Sequence, residues 1–240
     1  MSKYTYLLDP GHGGLVDGNY PTPGKRSPKW DDKTFADGTP FVLYEGVNNR
    51  DNVKRIIQQL DSLGIDAIDI VNSEEDIGLG SRTTEANRIA KTKPCILISI
   101  HSNAHAFTYL NPECTIKWVK ATDEGKKKYY KSEWTSALGV DVFHYTEGIS
   151  ETTKKVALLM SQHLKKNLCA EPNPLTKWRG TKARNFYVLR KTNCPAVLIE
   201  GGFHTNKEEA KLMLSDEWKN PFVQSIVNAI LELEERVNRN

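Results

Sequence analysis

A chain of 240 residues with 38% hydrophobic and 26% charged side chains is composed like an ordinary globular protein, long enough for one sizeable α/β core. A net charge of +3 is too small to argue for a nucleic-acid partner, no apolar run reaches the length of a membrane-spanning helix, and the segment from Met1 to Gly11 lacks the apolar core of a secretory leader. Cys95, Cys114, Cys169 and Cys194 are far apart and form no C-x-x-C pair, which argues against a thiolate zinc site and for reduced thiols rather than a disulfide framework.

In chain order, residues 4–9 read as a strand. Residues 47–64 read as a helix, with Val53, Ile56, Ile57, Leu60 and Leu63 at helical spacing and Gly64 as its stop. A strand is expected at 65–71, a helix at 81–91, and a fully buried strand in the β-branched run 95–101. A strand at 139–145 precedes a helix that Ser150 caps and that runs to about Leu168. Residues 186–190 and 195–200 read as strands, and the chain closes with helices, the last with Pro221 in its first turn. This alternation predicts one α/β domain, with helices on both faces of a mostly parallel sheet. Two stretches break the rhythm: a Pro- and Gly-rich loop at 15–44 and a Lys- and Trp-rich insertion at about 105–138.

The chemistry gathers at strand ends. His12 follows the first strand inside "PGHGG", His101 closes "ILISIH", and Glu200 closes "AVLIE". Sites in open α/β sheets form beyond the carboxyl ends of strands, and Glu45, at the start of the first long helix, can reach the same edge. A histidine between glycines also fits a plain surface turn, so His12 gains meaning only beside His101 and Glu200. Two imidazoles and a carboxylate with a fourth position open make a hydrolytic zinc site, and a second carboxylate beside it can act as the base.

The segments "LDPGHGG", "YEGVNN", "SRTTEAN", "ISIHSNA" and "RGTKARNFYVLRKTNCPAVLIEGGFHTN", spread from about residue 5 to residue 235, resemble the zinc-dependent N-acetylmuramoyl-L-alanine amidases of the cell-division type. The resemblance implies a single α/β catalytic domain with a mixed, twisted sheet and one Zn2+ per chain; with no internal repeat and no linker-bounded segment in the sequence, that domain is expected to span 1–240 without a separate cell-wall-binding domain. It implies that His12, Glu45 and His101 hold that ion and that Glu200 is the catalytic carboxylate. It further implies hydrolysis of the amide between the lactyl group of N-acetylmuramic acid and the L-alanine of the peptidoglycan stem. The absence of a leader fits a phage or prophage endolysin, cytoplasmic until released to the cell wall. A secreted amidase whose leader has been removed is the other possibility. Peptidoglycan is the expected partner, with no nucleic acid and no membrane insertion. A zinc carboxypeptidase of stem peptides and a non-catalytic wall-binding module are the rival readings.

His204 stands where that family carries an aliphatic residue, and a packing or rim role is expected for it. Arg82 is expected to pair with an acid, and His105, His144 and His163 to be loop, structural or solvated residues. In the insertion, Trp118, Trp134, Tyr129, Tyr130 and the lysines of 126–128 are candidates for contact with wall polymer.

Overall fold

The computed structural model describes residues 2–22, 24–28, 30–34, 40–105, 120–121, 127–128 and 137–239. A six-stranded sheet runs through it in the order β4 (Ala67–Asp69), β1 (Thr5–Pro10), β5 (Cys95–Asn103), β10 (Ala196–Phe203), β8 (Val140–His144), β9 (Trp178–Ala183). Only the β10–β8 pair is antiparallel. Two small ribbons lie apart from it, β2 (Trp30–Thr34) with β3 (Pro40–Phe41), and β6 (Lys120–Ala121) with β7 (Lys127–Lys128).

Strand residues alternate between two apolar layers. Tyr6, Leu8, Ile96, Ile98, Ile100, Val142, Val197 and Ile199 face one core, which is closed by α1 (Glu45–Ser62), α3 (Glu151–Leu168) and α6 (Asp216–Asn238), with α5 (Lys207–Met213) at its margin. Leu7, Leu97, Phe143, Ala196 and Leu198 face a smaller core under α2 (Leu79–Ala90) and α4 (Tyr187–Lys191). Helices therefore cover both faces, as the α/β alternation predicts. The long helices start and stop where their local chemistry says. Ser150 Oγ accepts from the Thr153 amide at the head of α3, and Gly64, at φ +69°, ends α1 with Gly64 N–H bonded to Asp61 O and Ile65 N–H to Leu60 O.

Three expectations need correction. Residues 186–190 are not a strand: the Arg190 amide donates to Phe186 O at 2.9 Å, and α4 begins at Tyr187. The edge beside β8 is already taken by β9, and Asn87 clamps the far end of α4 by donating to Lys191 O at 2.8 Å and accepting from the Asn193 amide at 2.7 Å. A five-residue apolar run fits either structure, and the packing of Val188 and Leu189 into the smaller core decides it. β9 itself has no counterpart among the expected strands, because "WRGTKA" carries little strand propensity. Pro221 lies inside α6, which starts at Asp216, rather than in its first turn. Most of the insertion at 105–138 is outside the described residues, as are Trp118, Tyr129, Tyr130 and Trp134.

On the α2 face the sheet changes character from core to edge. Leu7, Leu97 and Ala196 are level with one another; next come Asp9, Ser99 and Leu198; at the edge come His101, Glu200 and Asp141. Asp9, 1% exposed, accepts from Arg82 Nη1 and from Ser99 Oγ, each at 2.6 Å. Arg82, 3% exposed, also donates to the carbonyls of Ile77, Pro10 and His12, so it ties α2 to the turn that carries His12. Removing one member of a buried ion pair leaves the other uncompensated. Arg82→Met is therefore expected to cost about 3–5 kcal/mol of folding stability, read from urea denaturation of the metal-free protein; a loss under about 1 kcal/mol would contradict the role given to this pair.

Candidate metal centre

Each side chain of the centre comes from a different element, at or near its end. β1 runs out into Gly11 and His12, β5 brings His101, and α1 opens with Glu45. Gly11 lies beside His101, and a Cβ there would sit 2.2 Å from His101 Cε1, so the imidazole occupies space that only glycine leaves free. His12 has φ +65°, a conformation uncommon for a side chain with a Cβ. Its carbonyl is held in that turn by Arg50 Nη1 at 2.6 Å and Arg82 Nη2 at 3.1 Å. The sharp turn directs His12 back over the edge of the sheet.

The three groups converge on one point. Glu45 Oε1 lies 3.4 Å from His12 Nε2 and 3.2 Å from His101 Nδ1, and the two rings meet edge to face with centroids 5.1 Å apart. One donor atom from each of the three residues lies within 4.8 Å of the other two. Glu45 is 1% exposed, and its Oε2 has no hydrogen-bond partner among the described residues. Two imidazoles and a buried carboxylate with an unsatisfied oxygen suit a divalent metal ion. Burial alone would raise the pKa of Glu45, but hydrogen bonds from His101 and His12 and the nearby His204 hold it well below the usual carboxylate range. The same contact with Glu45, against burial, raises His101.

Glu200 is set apart by its surroundings. It is the register partner of His101 on the neighbouring parallel strand and of Asp141 on the other side. Side chains at one register level share a face of the sheet, so Glu200 stands beside the triad without being one of its converging donors. Its Oε2 is buried without a partner among the described residues. Burial pushes its pKa up to about 8, against the attraction of His101. Asp141, in turn, accepts from Arg179 Nε at 2.9 Å and from Lys182 Nζ, so this third carboxylate is already occupied by two cations.

The remaining candidates separate clearly. Arg82 pairs with an acid, Asp9, as expected. His105 is in a loop at the edge of the described residues. His144 Nδ1 contacts Tyr145 O, and His163 Nε2 lies 2.8 Å from Glu232 Oε2 on the surface between α3 and α6. Cys95, Cys169 and Cys194 are free thiols. His204 is not at the rim: it is 1% exposed, with Nδ1 3.0 Å from Ser102 Oγ. Ser102 is not among the residues the sequence singles out, yet its amide donates to Glu45 Oε1 at 3.1 Å. Nothing local marks a serine after a strand-end histidine, so only the fold exposes that contact.

Comparison with known proteins gives the family and the fold. An "uncharacterized cell wall amidase" of Bacillus anthracis is 28% identical over 98% of this chain, which spans 36% of that relative. The endolysin of Bacillus phage SPP1 is 24% identical over 97% of the chain, which spans 66% of it. The catalytic domain of CwlV, an N-acetylmuramoyl-L-alanine amidase from Bacillus (Paenibacillus) polymyxa, shares the fold with a TM-score of 0.65 at 17% identity, covering 95% of this chain and 97% of that one. The family model described as N-acetylmuramoyl-L-alanine amidase matches residues 7–232, and with nearly the whole chain under that match the protein belongs to this family.

Proposed function

We propose that residues 1–240 act as one zinc-dependent N-acetylmuramoyl-L-alanine amidase domain. It hydrolyses the amide between the lactyl group of N-acetylmuramic acid and the L-alanine of peptidoglycan, in the lytic manner of an endolysin. The observation that carries this reading is the convergence of His12, Glu45 and His101 on one point, with a raised-pKa carboxylate, Glu200, level with His101 on the next strand. The endolysin and cell-wall amidase relatives support a wall substrate and a lytic role. No helix among the described residues is long and apolar enough to cross a membrane.

In this reading His12, Glu45 and His101 hold the zinc. When bound there, the ion supplies a Lewis acid for the scissile carbonyl and lowers the pKa of water toward about 7. The protein's own groups do the rest. Glu200 takes a proton from the attacking water and returns it to the alanine nitrogen as the C–N bond breaks. Arg82 and Arg50 hold the His12 carbonyl and so keep the imidazole aimed at the centre. The two carboxylates have different tasks because their surroundings push their pKa values in opposite directions.

The deciding experiment is digestion of purified peptidoglycan followed by mass spectrometry. Intact glycan strands together with stem peptides bearing a free L-alanine amino terminus are expected. Release of a single amino acid from the far end of the stem would instead identify a carboxypeptidase.

Two further outcomes follow from the roles assigned. Glu200→Gln should retain about one zinc per chain while losing roughly 10²–10⁴-fold in rate, whereas Glu45→Ala should lose both zinc and rate. Zinc content and turnover measured on the same two preparations check this, and a zinc-free Glu200 variant beside a zinc-loaded Glu45 variant would exchange the roles.

In the metal-free protein, Glu200 also makes a pH-dependent contribution. A carboxyl whose folded pKa is raised to about 8 contributes most below its unfolded pKa, and that contribution fades as pH rises toward 8. Glu200→Gln cannot ionise, so its stability relative to the parent should increase between about pH 5 and pH 8. Denaturant midpoints of both proteins with chelator present measure this, and a difference that does not change with pH would refute it.

A further inference from the structure

His204 follows the last residue of β10 and is anchored through its backbone, its amide donating to Asn103 O at 3.0 Å. Its ring is buried against the back of the metal centre. Nδ1 lies 3.0 Å from Ser102 Oγ and 3.8 Å from Glu45 Oε2, the oxygen with no hydrogen-bond partner. The other nitrogen, Nε2, is buried and also has no partner among the described residues. Ser102 meanwhile donates its amide to Glu45 Oε1 at 3.1 Å. One residue of β5 thus holds one oxygen of Glu45, the ring of His204 faces the other, and the two are bonded to each other.

An aliphatic side chain would fill this slot without burying a polar ring, and an unsatisfied ring nitrogen is costly in an apolar setting. The placement makes sense if the ring has work at Nδ1. A proton on Nδ1 faces two oxygens and leaves Nε2 as a bare acceptor. The alternative tautomer would bury an N–H with no partner, which native structures tolerate less readily.

We propose that His204 is a positioning residue for the metal centre, fixing through Ser102 Oγ and across from Glu45 Oε2 the orientation in which Glu45 faces His12 and His101. The proposal rests on the metal-centre reading above. Rotation of a carboxylate about its last bond is soft, with a broad torsional preference, so the groups facing its two oxygens set which one is presented. Partners of this kind, one shell out from the ligands, are typically worth 10–100-fold in metal affinity.

The test is the zinc dissociation constant of the full chain, measured by competition with a chromophoric chelator. His204→Leu keeps the bulk and removes the polar atom; His204→Asn places an amide nitrogen near the position of Nδ1; Ser102→Ala removes the linking hydroxyl with little change in volume. His204→Leu and Ser102→Ala are each expected to weaken zinc binding by roughly 10–100-fold, and the double variant by less than the product of the two. His204→Asn should recover part of the affinity lost in His204→Leu. Parent-like affinity in both His204→Leu and Ser102→Ala would overturn the proposal, as would a His204→Asn variant no tighter than His204→Leu, which would mark the slot as packing alone. A parent protein that binds no zinc would overturn the metal-centre reading itself, whereas a parent that binds zinc but leaves peptidoglycan uncut would overturn only the amidase reading.

Discussion

The candidate metal centre stands on a buried ion pair. Asp9 and Arg82 are almost wholly removed from water, at 1% and 3% exposure, immediately below the level of His101 and Glu200. Two charges in that position are tolerable only if hydrogen bonds answer them. Ser99 answers the second oxygen of Asp9, and the carbonyls of Ile77, Pro10 and His12 take three more guanidinium protons beside the one given to Asp9. The demand works in both directions. Because Arg82 needs the His12 carbonyl, the turn after β1 is held in its left-handed form; because the turn is held, the His12 ring has one place to go. A loop with so many glycines would otherwise lose much of its direction to backbone entropy.

The two carboxylates above that pair show how one sheet edge makes two different acids. Glu45 is buried whole and Glu200 has its Oε2 buried, and burial alone raises both pKa values. Glu45 is met at one oxygen by His12, His101 and the amide of Ser102, and His101 and His12 with the nearby His204 overcome the desolvation. Glu200 has no comparable set of donors, and Asp141, its other neighbour in register, is already engaged with Arg179 and Lys182. It therefore keeps the raised value that suits proton transfer near neutral pH. The difference lies less in the residue than in which element delivers it: Glu45 arrives at the head of a helix, where the chain can fold against two histidines, and Glu200 stands on a central strand between two others.

Much of this site is legible in the amino-acid sequence, for a physical reason. Strand ends are conspicuous when a β-branched run stops at a histidine or a glutamate, so the residue pattern alone puts His12, His101 and Glu200 on one edge. Glu45 needs only the start of an amphipathic helix. What stays hidden depends on contacts across the sheet. "NFYVLRK" satisfies strand propensity, yet β9 fills the edge it would have joined and Asn87 captures its carbonyl end. β9 is a weak strand by composition, held by pairing with β8 and by the salt bridges of Arg179 and Lys182 to Asp141. Ser102 is silent for the same reason: its importance comes from which carboxylate lies opposite, a relation of tertiary structure alone.

The glycines around His12 are the first oddity of the chain, and the structure gives them different tasks. Gly11 is small because the ring of His101 lies where its Cβ would be, so His12 and His101 can approach with their ring centroids 5.1 Å apart. That contact links β1 to β5 at the level where Glu200 enters from β10. A site assembled from the ends of three adjacent strands and one helix is precise because each element is held by its own apolar layer, Leu7 and Leu97 below on one face and Leu8, Ile98 and Ile100 on the other. The hydrophobic core therefore does more than hold the fold together. It fixes the spacing of the strand ends, and at this edge that spacing is the distance between His101, one of the three converging donors, and Glu200 beside it.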